Sequence, residues 1–502
     1  MAHTPTVGGA ASIAERDPRP AQSGGAKRLA WRGEIPVFCV TLLLMLWPLA
    51  INGAPFYSAD SASYLRGGAF GFHTGLLIVH DWWQSIFSAP GAAAGGNSKA
   101  MVTTAIAESG GARSLIYSLV TYVLRIPGVS LLALAIAQAG AVVLVLSWMR
   151  RLVAPNVGAR ASLILGSGVA LLTSAPWYAA YAMPDILAGI TISGAVALTV
   201  LFDRASLVVR IGLLLLTAFC ITTHGSHLLI AFGTLVAGGV VNIWMTRSSL
   251  SCAIRKALWF SGPIVLAVGA LLGSSYAAFG QASLAPKRYP IQLARSVADG
   301  PGAWYLRDHC ATEHYAICEV FGPNPPRTVN EFLWGKNGVR YRATPEQMER
   351  IRAEESTIVR RAAMAYPGNQ IRRSINNSFA QFFEFGLRGL VFGQTMTDGD
   401  DPAVAPASAD KPELRAAGKA IIYASFFGSV LLLAFLWRRM TAAEVAALAV
   451  TLVGLLANAV VCGTLSGVTD RYQGRVAWVL PALILLFAMR IWSDRQSRQA
   501  PG

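Results

Sequence analysis

The chain has 502 residues, 54% hydrophobic and 14% charged, with a net charge of +16. A soluble domain carries about 25% charged residues, so this balance excludes an ordinary soluble protein and describes an all-α polytopic membrane protein. The Lys and Arg excess punctuates the ends of apolar runs instead of forming one basic patch, which excludes nucleic acid as a partner and matches charge-sorted membrane orientation.

Residues 1–34 read as a disordered cytoplasmic segment; Met1–Ala26 is rich in Ala, Gly, Pro and Ser and too long for the leader of a signal peptide. A span needs roughly 20 apolar residues. About ten are expected, at 35–52, 129–148, 161–176, 183–201, 209–223, 226–245, 257–279, 419–437, 443–463 and 475–492. Arg150, Arg151 and Arg160, then Arg204 and Arg210, then Arg247, Arg255 and Lys256, then Arg438 and Arg439, then Arg490, Arg495 and Arg498 fall on alternate connectors. The turns Ala175–Met183 and Thr223–Ser226 between them hold no Lys or Arg. By the positive-inside rule both termini, with the tail 493–502, are cytoplasmic in the plasma (inner) membrane. The long loop 53–128 and the hydrophilic block 281–418 are then extracytoplasmic, the latter a small, mostly helical domain.

In the first outer loop Asp60 can cap a short helix, Ser61–Gly67. Trp82 and Trp83, after His80 and Asp81, suit an interfacial segment, Pro90–Gly96 a flexible one. Arg113–Arg125 reads as a helix on the membrane surface. In the domain, Thr344-Pro345-Glu346-Gln347 is a capping box that starts a helix running to about Tyr366, where Pro367 stops it. A second helix follows with Ile371, Ile375, Phe379, Phe382 and Phe383 on one stripe, expected to pack on the rest of the domain, contact with lipid being the other reading. Asp398–Pro412 reads as a mobile loop whose Asp-Gly-Asp-Asp lacks calcium-loop spacing. Cys310 and Cys318 share the hydrophilic block and are expected to form a disulfide; Cys39, Cys220, Cys252 and Cys462 lie in or beside spans as packing residues.

Four polar clusters fall at outward ends of spans: Asp60 with Ser61, Ser63, Tyr64 and Arg66; Trp177, Tyr178, Tyr181, Pro184 and Asp185; His224-Gly225-Ser226-His227; and Asp470-Arg471-Tyr472-Gln473-Gly474-Arg475. Each has a plain structural reading. Asp60 can cap, Asp185 suits a helix N-terminus, the histidines can bond neighbouring helices, and the arginines can anchor a span. Ionisable groups at a membrane edge are costly, and their shared face favours one site.

This arrangement resembles the GT-C superfamily of membrane glycosyltransferases, which use polyprenyl-phosphate sugar donors. The matching pieces are Ala59-Asp60-Ser61 to Tyr64 after the first span, Arg113–Arg125, the turn Ala182-Met183-Pro184-Asp185-Ile186-Leu187, and Asp470-Arg471-Tyr472 with Arg475 and Trp478. The chain departs from the family in a single first-loop acid where many members have a pair, and in a soluble block lying between spans. The resemblance implies Asp60 as catalytic base and a late arginine on the donor phosphate. The chemistry agrees. A base must activate the acceptor hydroxyl, and guanidinium groups such as Arg471 and Arg475 bind phosphate oxygens in pairs.

Tyr64, Asp185, His224, His227 and Tyr472 complete the expected substrate site. Lys287 and Arg288 are reserve cations, and Trp177, Tyr178 and Tyr181 are expected as flat surfaces for sugar rings. No cofactor is fixed and no metal site is assigned, a divalent metal shared by Asp60 and a histidine being the one candidate. The partners implied are the lipid-phosphate donor, a lipid or glycan acceptor, and membrane lipids. The alternatives are a polysaccharide or lipid transporter or flippase, an O-antigen polymerase or ligase, and a non-catalytic assembly or sensor protein acting through 281–418. A transporter predicts midplane charges and paired, broken half-repeats; here polar groups sit at one face and no internal repeat is apparent.

Overall fold

The computed structural model describes residues 24–87, 113–125, 130–285, 288–390 and 411–499. The expectations for Pro90–Gly96, Lys287 and 398–410 lie outside these residues, as does that for Met1–Ala26 apart from Gly24–Ala26. Among the described residues the regular secondary structure is helical, apart from one isolated β-bridge.

The chain opens with α1 (Gly24–Met45) and α2 (Trp47–Asn52), then α3 (Ala59–Phe87) and α4 (Leu115–Arg125). The bundle continues through α5 (Leu132–Val153), α6 (Ala159–Leu172), α7 (Ala175–Ala179), α8 (Asp185–Thr199), α9 (Leu207–Thr222), α10 (Gly225–Thr246) and α11 (Leu250–Phe279). Short helices α12 (Ile291–Asp299), α13 (Pro301–Glu313), α14 (Ala316–Phe321), α15 (Val329–Leu333) and α16 (Val339–Arg342) lead to α17 (Pro345–Ala365) and α18 (Pro367–Phe383). The chain returns to the bundle through α19 (Pro412–Leu436), α20 (Ala442–Leu465), α21 (Asp470–Gly474) and α22 (Val479–Gln499).

Seven helical stretches among the described residues are long and apolar enough to cross a membrane: Glu34–Asn52, Leu132–Val153, Gly225–Thr246, Leu250–Phe279, Pro412–Arg439, Ala442–Leu465 and Asp470–Gln496. The other three spans expected from sequence correspond to shorter apolar helices, α6, α8 and α9. The 15 residues of α8 are all buried. At 1.5 Å per residue this helix reaches about 22 Å, and it is encased by other helices, so its own length need not match a bilayer.

Several charges at the arginine-rich turns find acidic partners. Arg150 and Arg151 both pair with Glu34, Lys256 with Asp203, and Arg490 with Glu444. Pairing is what allows Lys256, only 6% exposed, to sit inside.

Two expectations for the first loop change. The helix expected to stop near Gly67 runs on to Phe87. Gly67 and Gly68 do not break it; they let α4 approach, since a Cβ on Gly68 would lie 2.1 Å from the Ser118 carbonyl oxygen. The amphipathic α4 accordingly packs against α3. Asp60 does not cap either. The Asp60 N–H donates to Ser58 Oγ (3.2 Å) and the Ser58 N–H to Ser61 Oγ (3.1 Å), so the serines do that work and the carboxylate is left for another partner.

The helical domain has a small core of its own, built from Leu293, Val297, Leu306, Ile317, Phe332, Ile351 and Ile358 among others. The capping box is present, with Thr344 and Gln347 bonded reciprocally. Cys310 and Cys318 form the disulfide, Cα atoms 5.6 Å apart, which ties α13 to α14.

Candidate functional site

The loop after α2 is stitched to the turn before α8 by backbone hydrogen bonds. The Phe56 N–H donates to Ala180 O (2.9 Å), and the Ala182 N–H donates to Phe56 O (2.7 Å). Ser61 Oγ donates to Ala182 O (3.0 Å), which fixes the first turn of α3 beside the same turn. From α5, Gln138 Nε2 donates to the carbonyls of Ala179 and Tyr181. These bonds satisfy buried backbone groups that have no helical partner, and they bring residues about 120 positions apart in sequence to one place.

At that place Asp60 pairs with Arg113. Tyr64, one helical turn along α3, is fully buried, and its hydroxyl has no hydrogen-bond partner among the described residues. Burial pushes the pKa of this phenol up, with smaller influences from Arg113, Asp60, Asp185 and Arg471.

A second cluster forms at the start of α8. Asp185 is 2% exposed, with its Oδ1 3.5 Å from Arg471 Nε and 3.7 Å from Arg475 Nη1. Two guanidinium groups thus share one carboxylate, with a second buried acid, Asp470, next to Arg471 in the chain. Arg475 is nearly inaccessible, and its Nη2 donates to Ser226 Oγ and Asn458 Oδ1, each at 3.0 Å. Arg471 Nη1 donates to the Tyr181 hydroxyl at 3.3 Å. Both guanidinium groups lie 5.2 Å from the centre of the Tyr472 ring, a cation–π arrangement. His224 Nδ1 bonds Ser226 Oγ (2.8 Å), which links it to Arg475. His227 turns instead to Cys220 O and Thr223, and acts in helix packing.

Tyr64, Arg113, His224, Ser226 and Tyr472 line a cavity of about 470 Å³ together with apolar residues of α3, α4, α9, α10, α11 and α20 and several serines, whereas Asp60, Asp185, Arg471 and Arg475 lie outside its lining. Arg288, Gln292 and Glu355 from the domain close it on another side. Glu355 is fully buried. It accepts from the N–H groups of Gln292 and Leu293 and pairs with Arg288 at 2.9 Å. Burial raises its pKa, opposed by Arg288 and the two backbone donors.

Trp177, Tyr178 and Tyr181 are not open platforms. All three are at most 1% exposed. The Tyr178 hydroxyl donates to Gly386 O (2.6 Å) and that of Tyr181 to Gly389 O (2.9 Å), while Trp177 packs edge-on against Trp47. Their work is to hold the segment 385–390 over the cluster. Asp470 assists, accepting from the Arg388 N–H at 3.2 Å. A Cβ on Gly389 would meet Arg471 Cδ at 2.8 Å, so this segment presses directly on the arginine.

Arg113, Asn458 and Gln138 were not singled out as site residues from the sequence. Arg113 offered a signal, since with Arg66, Lys99 and Arg125 it places basic residues in a loop assigned to the outer face, against the charge rule. Asn458 and Gln138 offered another, as polar residues inside apolar runs. Among the described residues no group of three His, Cys, Asp and Glu side chains is placed to hold a metal ion. No protein-family model, curated protein or solved structure matches this chain.

Proposed function

We propose that this protein is a membrane glycosyltransferase that moves a sugar from a polyprenyl-phosphate donor to an acceptor on the extracytoplasmic face. One observation carries the reading: the buried Asp185–Arg471–Arg475 cluster and the Asp60–Arg113 pair reach one cavity through Tyr472 and Arg113, which line it together with a run of apolar side chains. An amphipathic lipid phosphate has matching chemistry, a greasy chain and an anionic head.

In this reading Asp60 takes the proton of the acceptor hydroxyl as its oxygen attacks the anomeric carbon. The bond from that carbon to the phosphate oxygen breaks, and polyprenyl phosphate leaves. Arg113 holds Asp60 in place. Arg471 and Arg475, behind the Tyr472 ring, stabilise the negative charge that grows on the leaving phosphate. The Tyr64 hydroxyl and Ser226 supply neutral hydrogen bonds, and His224 supports Ser226.

Native mass spectrometry of the purified protein with polyprenyl phosphate tests the donor side. The wild type is expected to retain one lipid phosphate, and Arg471→Gln to lose most of that binding. Equal retention of an uncharged polyprenol by the wild type contradicts a phosphate site.

A further inference from the structure

Helix α18 is amphipathic in the wrong sense for a water-soluble domain. Two of its amides face the protein: Asn377 Nδ2 donates to Asp299 (3.1 Å), and Gln381 exchanges two hydrogen bonds of 2.9 Å with the Thr469 backbone. The backbone also touches α20, since a Cβ on Gly463 would lie 2.7 Å from Asn377 O. The outward face carries Ile371 (60% exposed), Ile375 (62%), Phe379 (69%) and Phe383 (39%) at a spacing of four. Four of the five residues of the stripe thus do not pack on the domain, where Asn377 makes the contact, while Phe382 is half-buried against the core of the bundle.

The stripe does not end in isolation. Phe383 O accepts from the Tyr423 hydroxyl of α19 at 2.7 Å, and Tyr423 stacks on Phe427. Phe427, Leu431 and Phe435 continue an exposed apolar face along α19, a helix long and apolar enough to cross the membrane. Exposed Arg372 and Arg373 flank the stripe near its start. Apolar side chains facing out beside arginines, continuous with a spanning helix, are the pattern of a helix lying in a lipid interface.

We propose that α18 is an interfacial membrane helix, with Ile371, Ile375, Phe379 and Phe383 in the acyl region and Arg372 and Arg373 at the level of anionic headgroups. The occupant of this face is the bilayer on the side of the helical domain. The segment 385–390 follows directly, so the roof of the candidate site is tied to the membrane surface. This proposal does not depend on the glycosyltransferase reading.

The test uses the full chain in vesicles of phosphatidylethanolamine and phosphatidylglycerol. A photoreactive benzophenone amino acid replaces Phe379 and, in a separate preparation, Ile375. A third preparation carries it at Tyr341, an exposed position of the domain (62%). Illumination followed by intact-mass spectrometry is expected to give phospholipid adducts at 379 and 375, several-fold above 341. An adduct between two copies of the chain, which would assign the face to self-association, overturns the proposal. So does a lipid yield at both positions no higher than at 341.

Discussion

Replacing Asp185 by Asn keeps the shape of the side chain and removes its charge. Asp185 sits 3.5 Å from Arg471 and 3.7 Å from Arg475, and Arg475 is 1% exposed. At an effective dielectric constant of about 20, each attraction is worth about 4–5 kcal/mol before desolvation. Desolvation of all three groups opposes this, and the net loss on removing one partner of a buried pair is about 3–5 kcal/mol. Most of that loss comes from stranding two guanidinium groups with no counter-charge. Unfolding of the detergent-purified variant, followed by tryptophan fluorescence in denaturant, should show that loss. The double variant Asp185→Asn, Arg475→Gln should be less destabilised than the two single changes together, by at least about 1 kcal/mol. A single variant within about 1 kcal/mol of wild type, or strict additivity in the double, would refute the claim that this carboxylate holds the cluster.

Gly68→Ala puts a methyl 2.1 Å from the Ser118 carbonyl oxygen and should cost about 1–3 kcal/mol by forcing α3 and α4 apart; an unchanged melting temperature counts against that packing. Converting both Cys310 and Cys318 to Ala opens a short loop and should cost the domain about 2–3 kcal/mol, seen as faster limited proteolysis of the domain, with equal rates arguing against a stabilising bridge. Glu355 has a raised pKa, so its contribution to stability is complete below its ordinary value of 4.5 and falls as pH climbs through the folded value. Relative to wild type, Glu355→Gln should therefore gain melting temperature from roughly pH 4.5 up to the folded value and level off beyond it, and a constant or reversed gap across that window excludes this linkage.

The fold was legible wherever a local rule decides. Helix α17 starts at the capping box Thr344–Gln347, because that motif satisfies its own end groups without tertiary help. Cys310 and Cys318 lie eight residues apart, in the hydrophilic block where the pairing was expected. The apolar runs marked the long helices, although three of the ten expected spans fall on shorter helices, of which α8 is wholly encased. Long-range packing hid the rest. Gly67 and Gly68 look like breakers until α4 is laid against them. The stripe of α18 has the period of a buried face, and period alone does not say whether protein or lipid covers it. At the site, Asp185, Arg471, Arg475 and Tyr472 do gather, and Asp60 and Tyr64 stand with Arg113. Trp177, Tyr178 and Tyr181 misled because an aromatic run reads alike whether it faces a cavity or clamps a backbone segment.

The central claim is that Asp60 is the base in a sugar transfer. The most direct test is mass spectrometry of surface glycans and glycolipids from cells lacking this protein, complemented with wild type or with Asp60→Asn. The account predicts that one sugar is missing without the protein, that wild type restores it, and that Asp60→Asn, present in the membrane at normal amount, restores about 10²–10⁴-fold less per unit time. A glycan profile unchanged by the deletion, or full restoration by Asp60→Asn, contradicts it.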